Sequence, residues 1–173
     1  MKKNKFDTDG SAFKMGTDAE KLFEATLKSR KTPCKKSSKQ QDIWDHIDYF
    51  IKQKDGSIMS VDLKAQKKIR RGDKNTVSKE IWVEFKNVRG NKGWLYGKAD
   101  YIVFEQPTRF VFVNRLELVE FCESNVDLTS KVDKAYLALY KSYTRNNRED
   151  VVSIVKYQDM IDACQKIIYI KKL

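Results

Sequence analysis

The spacing of apolar and polar positions changes period several times along the chain, and each change marks an element. Ala19, Leu22, Phe23, Thr26 and Leu27 recur at three- and four-residue intervals. That spacing predicts a helix starting at Gly16-Thr17-Asp18, capped by Thr17 or Asp18, behind a polar and frayed 1–15. Over 44–66 the period drops to two. Ile47, Tyr49 and Ile51 alternate with His46, Asp48 and Phe50; after Asp55-Gly56, Met59, Val61, Leu63 and Ala65 alternate with Ile58, Ser60, Asp62 and Lys64. Two alternating runs around an Asp-Gly pair predict a β-hairpin. Further strands are expected over 80–88, 99–105 and 109–114. Helices follow over 116–123, with Leu116, Val119 and Phe121 inward, and over 131–143, with Ala135, Tyr136, Leu139, Tyr140 and Tyr143 on one face. A strand over 151–155, a short helix over 159–164 and a strand over 167–170 close an α/β chain.

The alternation also sorts the charged residues. Side chains two apart on a strand share a face, so Asp62 and Lys64 point the same way, and each hairpin arm carries one acid, Asp48 or Asp62. Two carboxylates and an amine on one sheet face are costly to bury unless something binds there. On the first helix, at 100° per residue, Glu20 borders the apolar face and Glu24 points further out. Glu20 is therefore the better candidate to reach a site, although both could be plain surface residues.

Composition narrows the partner. The chain has 173 residues, enough for one domain with a proper core, and carries a formal charge of +11 from 35 basic and 24 acidic residues. An excess of this size favours a polyanion, most commonly nucleic acid. The basic residues cluster. Lys28, Arg30, Lys31, Lys35, Lys36 and Lys39 fall in an acid-free stretch expected to be a loop; Lys67, Lys68, Arg70 and Arg71 follow the hairpin; Arg89, Lys92 and Lys98 share a glycine-rich loop with Trp94 and Tyr96. Such loops suit phosphate contacts, and the two aromatics suit either stacking on bases or anchoring in the core. Cys34, Cys122 and Cys164 are widely spaced and His46 is the single histidine, so a structural zinc site is not expected and a reducing, cytoplasmic compartment is. No secretory signal or membrane span is legible.

Glu20 on a first helix, Asp48 on a strand and Asp62-Leu63-Lys64 on the next resemble the PD-(D/E)xK nuclease superfamily over roughly residues 16–105. This group includes restriction endonucleases, Holliday junction resolvases and phage recombination nucleases. The resemblance implies a restriction-endonuclease-like core, a mixed sheet flanked by helices over about 16–115, with 116–173 as an elaboration of one domain. It also implies Mg²⁺, replaceable by Mn²⁺, held by Asp48, Asp62, Glu20 and the Leu63 carbonyl. Lys64 would act on the attacking water or on the charge at phosphorus, and Gln66 would place water or substrate. Ile47 stands where the family pattern often has proline. The expected activity is Mg²⁺-dependent endonucleolytic hydrolysis of DNA, double-stranded or branched. A homodimer is expected, since cutting two strands symmetrically needs two sites.

An acid-x-Lys triplet is common by chance, and Glu84-Phe85-Lys86 is a direct rival one strand later. In that alternative Asp62 becomes the first acid. Asp45 is a further alternative to Asp48, although it falls on the other face. Two other functions also fit the residues: a nucleic-acid-binding accessory protein with the same fold and no cutting, and a nuclease directed at RNA.

Overall fold

The computed structural model describes residues 10–69 and 79–171. Its elements are α1 (Ser11–Ser29), β1 (Cys34–Lys36), α2 (Lys39–Asp45), β2 (Tyr49–Lys52), β3 (Ile58–Lys64), β4 (Glu80–Lys86), β5 (Tyr101–Glu105), β6 (Arg109–Asn114), α3 (Arg115–Asn125), β7 (Asp127–Val132), β8 (Lys141–Tyr143), β9 (Val151–Lys156), α4 (Tyr157–Ala163) and β10 (Lys166–Ile170). The strands form two sheets. One runs β1-β2-β3-β5-β6-β10, and the other runs β4-β9-β8-β7. Within the first, β3 and β5 pair in parallel, while β2 with β3 and β5 with β6 are antiparallel. The result is an α/β fold with mixed sheets and flanking helices.

Period-two alternation gives the larger sheet two apolar faces. On one, Tyr49, Ile51, Met59, Val61, Phe110 and Phe112 pack against Phe23 and Leu27 of α1. The Phe23 ring meets Tyr49 at 5.4 Å and Phe110 at 5.0 Å, both edge-on. Truncating so enclosed a side chain costs about 3–5 kcal/mol. On the other face, Ile102, Phe104, Val111 and Val113 pack against Ile81, Val83 and Phe85 of β4, Leu118 and Phe121 of α3, and Met160 of α4. The strand expected over 80–88 is therefore present, with Ile81, Val83 and Phe85 inward, and it pairs with β9 in the second sheet.

The hairpin forms around Asp55, whose Oδ1 accepts from the Ser57 amide and hydroxyl at 2.9 and 2.7 Å, and Gly56 takes the left-handed φ of 89° that the turn needs. Its first arm starts only at Tyr49, because α2 occupies Trp44 and Asp45. The 28–39 loop is also shorter than expected, since β1 and the start of α2 fall within it. A capping box starts α2: Ser38 accepts from the Gln41 amide while the Gln41 side chain accepts from the Ser38 amide. His46, at a left-handed φ of 52°, ends it.

Three other expectations are corrected. The first helix begins before Gly16, and Thr17 lies inside it, its hydroxyl donating to the Phe13 carbonyl at 3.0 Å rather than capping. Leu116 is exposed; Phe121 is buried and Val119 half-buried as expected, and α3 turns Leu118 and Cys122 inward beside them. No helix spans 131–143: β7, a single 3-10 turn at Ala135–Leu137 and β8 replace it. Strand pairing wins there over helical spacing, because the Tyr140 amide donates to the Ile154 carbonyl and the Ile154 amide to the Ala138 carbonyl, and Tyr140 itself sits at a left-handed φ of 54°. Among the described residues no helix is long and apolar enough to cross a membrane.

Candidate active site

The site is built on β3, held between an antiparallel and a parallel neighbour. Met59 and Val61 face α1, so Ser60, Asp62 and Lys64 take the opposite face. Asp100, just before β5, fixes the strand: its Oδ2 accepts from the Ser60 amide and hydroxyl, both at 2.7 Å. Two residues on, Asp62 is 2% exposed. Its Oδ1 contacts Lys64 Nζ at 2.7 Å, while its Oδ2 is buried with no hydrogen-bond donor. A buried acceptor left without a partner is costly and points to a missing cation, proton or water.

Asp48 lies immediately before β2 and continues the ladder. Its amide donates to the Val61 carbonyl at 2.8 Å, and its Oδ2 accepts from the Leu63 amide at 2.7 Å. That places its carboxylate beside Asp62. Burial, and then the neighbouring Asp48 charge, push the Asp62 carboxyl up to about 8, against the pull of Lys64. Asp42 on α2 joins the same field: burial and then the charge of Asp48 raise its carboxyl above the ordinary range. His46 is held below its usual value by burial and then by Lys64. Asp42 was not singled out from sequence, since α2 buries none of its residues and leaves no periodicity to read. The Ser38-x-x-Gln41 capping signal could have located the helix.

Lys64 is flanked by Trp94, whose ring centre lies 5.0 Å from the ammonium and 6.2 Å from the Phe104 ring. Trp94 is almost completely buried, so it walls the lysine and is not placed to stack on a base, which corrects one of its two expected roles. The exposed tryptophan of the chain's described residues is Trp44 on α2, 71% accessible. Gln66 lies past the end of β3; its amide donates to Glu105 Oε2 at 3.2 Å, and it lines a narrow slot with Lys64, Lys67, Trp82, Trp94 and Glu105.

Glu20 is not turned into the carboxylate pair. It shares Lys36 with Glu24, each at 3.0 Å; Glu24, solvent-accessible as expected, also accepts from the Tyr49 hydroxyl at 2.8 Å. Lys36 is thereby committed to α1, while Lys35 is exposed on the same strand. Lys67 is exposed, and the Lys68 carbonyl accepts from Trp82 Nε1 at 3.3 Å. Arg70 and Arg71 lie outside the described residues. Arg89 and Lys92 are exposed, and Lys98 pairs with Asp45 at 2.8 Å while its amide donates to the Asp45 carbonyl. That pairing ties α2 to the 89–98 loop and occupies Asp45. The rival Glu84 is half-buried on β4 and near enough to His46 to favour its charged form.

Among the described residues no three His, Cys, Asp or Glu side chains are grouped to hold a metal. The candidate donors are Asp48 and Asp62. They fit Mg²⁺ or Mn²⁺, hard ions that take one or two carboxylates and complete their shell with water and phosphate oxygens. Comparison of the chain with protein-family models, curated proteins and solved structures returns no match.

Proposed function

We propose that this chain is a divalent-cation-dependent deoxyribonuclease of the PD-(D/E)xK kind. The observation that carries the reading is Asp62: a buried carboxylate with an unsatisfied oxygen, an acid on one side and a lysine on the other. Asp48 and Asp62 would hold the cation, which when bound supplies Lewis-acid polarisation of the phosphoryl group and its ligated water. Lys64 Nζ, steadied by Asp62 Oδ1 and the Trp94 face, orients the attacking water and offsets charge on a non-bridging phosphate oxygen. Gln66, which lines the slot, would help hold that water or the substrate. The net charge of +11 supports a polyanionic substrate. Branched DNA and a homodimer remain part of this proposal.

The test is cleavage of linear, supercoiled and four-way-junction DNA, side by side, with Mg²⁺ or Mn²⁺. Wild type should cut at least one substrate. Asp62→Ala and Lys64→Ala should each lose about 10²–10³ in rate or more while DNA binding persists. Binding without any cleavage by wild type would leave an accessory nucleic-acid-binding protein instead.

A further inference from the structure

Two openings meet in the wall between the sheets. The slot beside Lys64 extends to Glu80 and Gln106, and these same two residues line a larger cavity of about 620 Å³. Phe104 stands opposite Lys64 in the β3–β5 register, and Gln106 follows two residues later, about 6.6 Å along the strand direction. The cavity is thus the continuation of the catalytic slot, away from the carboxylates.

Its charged lining is Lys79, Arg109, Lys156 and Glu80. The three cations come from separate places: Lys79 precedes β4, Arg109 opens β6 and Lys156 closes β9. Two backbone bonds fix the segments that carry them. The Tyr157 amide donates to the Lys79 carbonyl at 2.8 Å, and the Gln106 amide donates to the Arg109 carbonyl at 2.8 Å across the Pro107-Thr108 turn. Glu80 lies opposite Lys156 in the β4–β9 register, yet among the described residues none of the three cations makes an ion pair. Three exposed cations held around one cleft repel one another unless an anion binds between them. Tyr157, half-buried on the wall, adds a ring against which a sugar or base can lie.

We infer that this cleft binds the phosphodiester backbone of the strand that enters the catalytic slot, through Lys79, Arg109 and Lys156. The inference rests on the nuclease reading for which strand occupies the cleft; the anion chemistry stands on the cleft alone. The three cations give it contacts to phosphate rather than to base edges, so it tracks a strand without reading its sequence.

The experiment measures affinity for a labelled single-stranded oligodeoxynucleotide across a salt series, by anisotropy, in the full-length chain carrying Asp62→Asn and without metal. Releasing counterions from three phosphates contributes about 0.7 each to the slope of log K against log salt, so Lys79→Gln/Arg109→Gln/Lys156→Gln should flatten it by about 2. Lys156→Gln alone should flatten it by about 0.7. A charge-matched control, Lys131→Gln/Lys134→Gln/Lys141→Gln around β7 and β8, should leave the slope unchanged. An unchanged slope in the cleft variants, or an equal loss in the control, overturns the inference. Wild-type cleavage is scored in parallel. Cutting with an unchanged cleft slope removes the cleft alone; a flattened slope in a chain that never cuts keeps the cleft and removes the nuclease.

Discussion

Asp62-Leu63-Lys64 and Glu84-Phe85-Lys86 satisfy one sequence pattern, but the two triplets stand in different surroundings. The first lies on an interior strand, with β2 on one side and β5 on the other. The second lies on β4, the edge of the smaller sheet, and its pairing with β9 slips between Glu84 and Lys86. Asp62 is buried, touches Lys64 at 2.7 Å and keeps one oxygen without a donor. Glu84 is half-buried, Lys86 is exposed, and among the described residues the two make no ion pair. An acid with water beside it needs no partner; a buried one does, and that need is what points to a ligand. Burial by neighbouring strands, not the triplet itself, separates a candidate site from a coincidence.

The contrast can be broken most directly on activity. Lys64→Ala should lose about 10²–10³ in cleavage rate or more, whereas Lys86→Ala and Glu84→Gln should stay within about threefold of wild type. Equal losses at both lysines would show that the edge triplet takes part in the chemistry.

A second effect is read from Asp62 alone, by pH. Burial raises the Asp62 carboxyl to about 8 from an ordinary 3.8, so the folded chain binds this proton more tightly than the unfolded chain does. Its contribution is then favourable at low pH and is lost as pH rises from about 4 to about 8, by at most on the order of 6 kcal/mol. Without metal, Asp62→Asn should be more stable than wild type at pH 8, with the gap closing toward pH 4, by thermal or urea unfolding. A constant difference for Asp62→Asn would mean that the carboxylate is not held in an apolar setting.

The smallest expected effect concerns the helix acid. The Glu20–Lys36 and Glu24–Lys36 pairs are largely exposed, and such pairs contribute about 0–1 kcal/mol each. Lys36→Met should therefore unfold within about 1 kcal/mol of wild type. If Glu20 serves the β3 site once released, the same variant retains or gains cleavage, while Glu20→Gln lowers it. Unchanged rates in both variants would confine Glu20 to the surface.

What could be read from the chain follows from where local pattern and tertiary pairing agree. The hairpin turn, the shared face of Asp62 and Lys64, the apolar face of α1, and the bounds of β6 rest on short-range periodicity and turn chemistry, and those survive folding. The sheet that β4 joins and the false helix over 131–143 come from long-range pairing with β9, which one-dimensional spacing does not encode. For the site, the positions of Asp48 and Asp62 were legible because they are neighbours in one hairpin. Asp42, the wall made by Trp94 and the engagement of Glu20 by Lys36 were not, since each depends on elements that meet only in the folded chain.

The central claim is that Asp62, with Asp48, holds a divalent cation. Mn²⁺ or Mg²⁺ titration followed by thermal unfolding tests it without requiring a substrate. Metal at about 100 times its dissociation constant stabilises the chain that binds it by about 2.7 kcal/mol. Wild type and Glu84→Gln should both show that rise, and Asp62→Asn should show none. A metal-induced shift that survives in Asp62→Asn but disappears in Glu84→Gln would move the site to the second sheet and contradict the account.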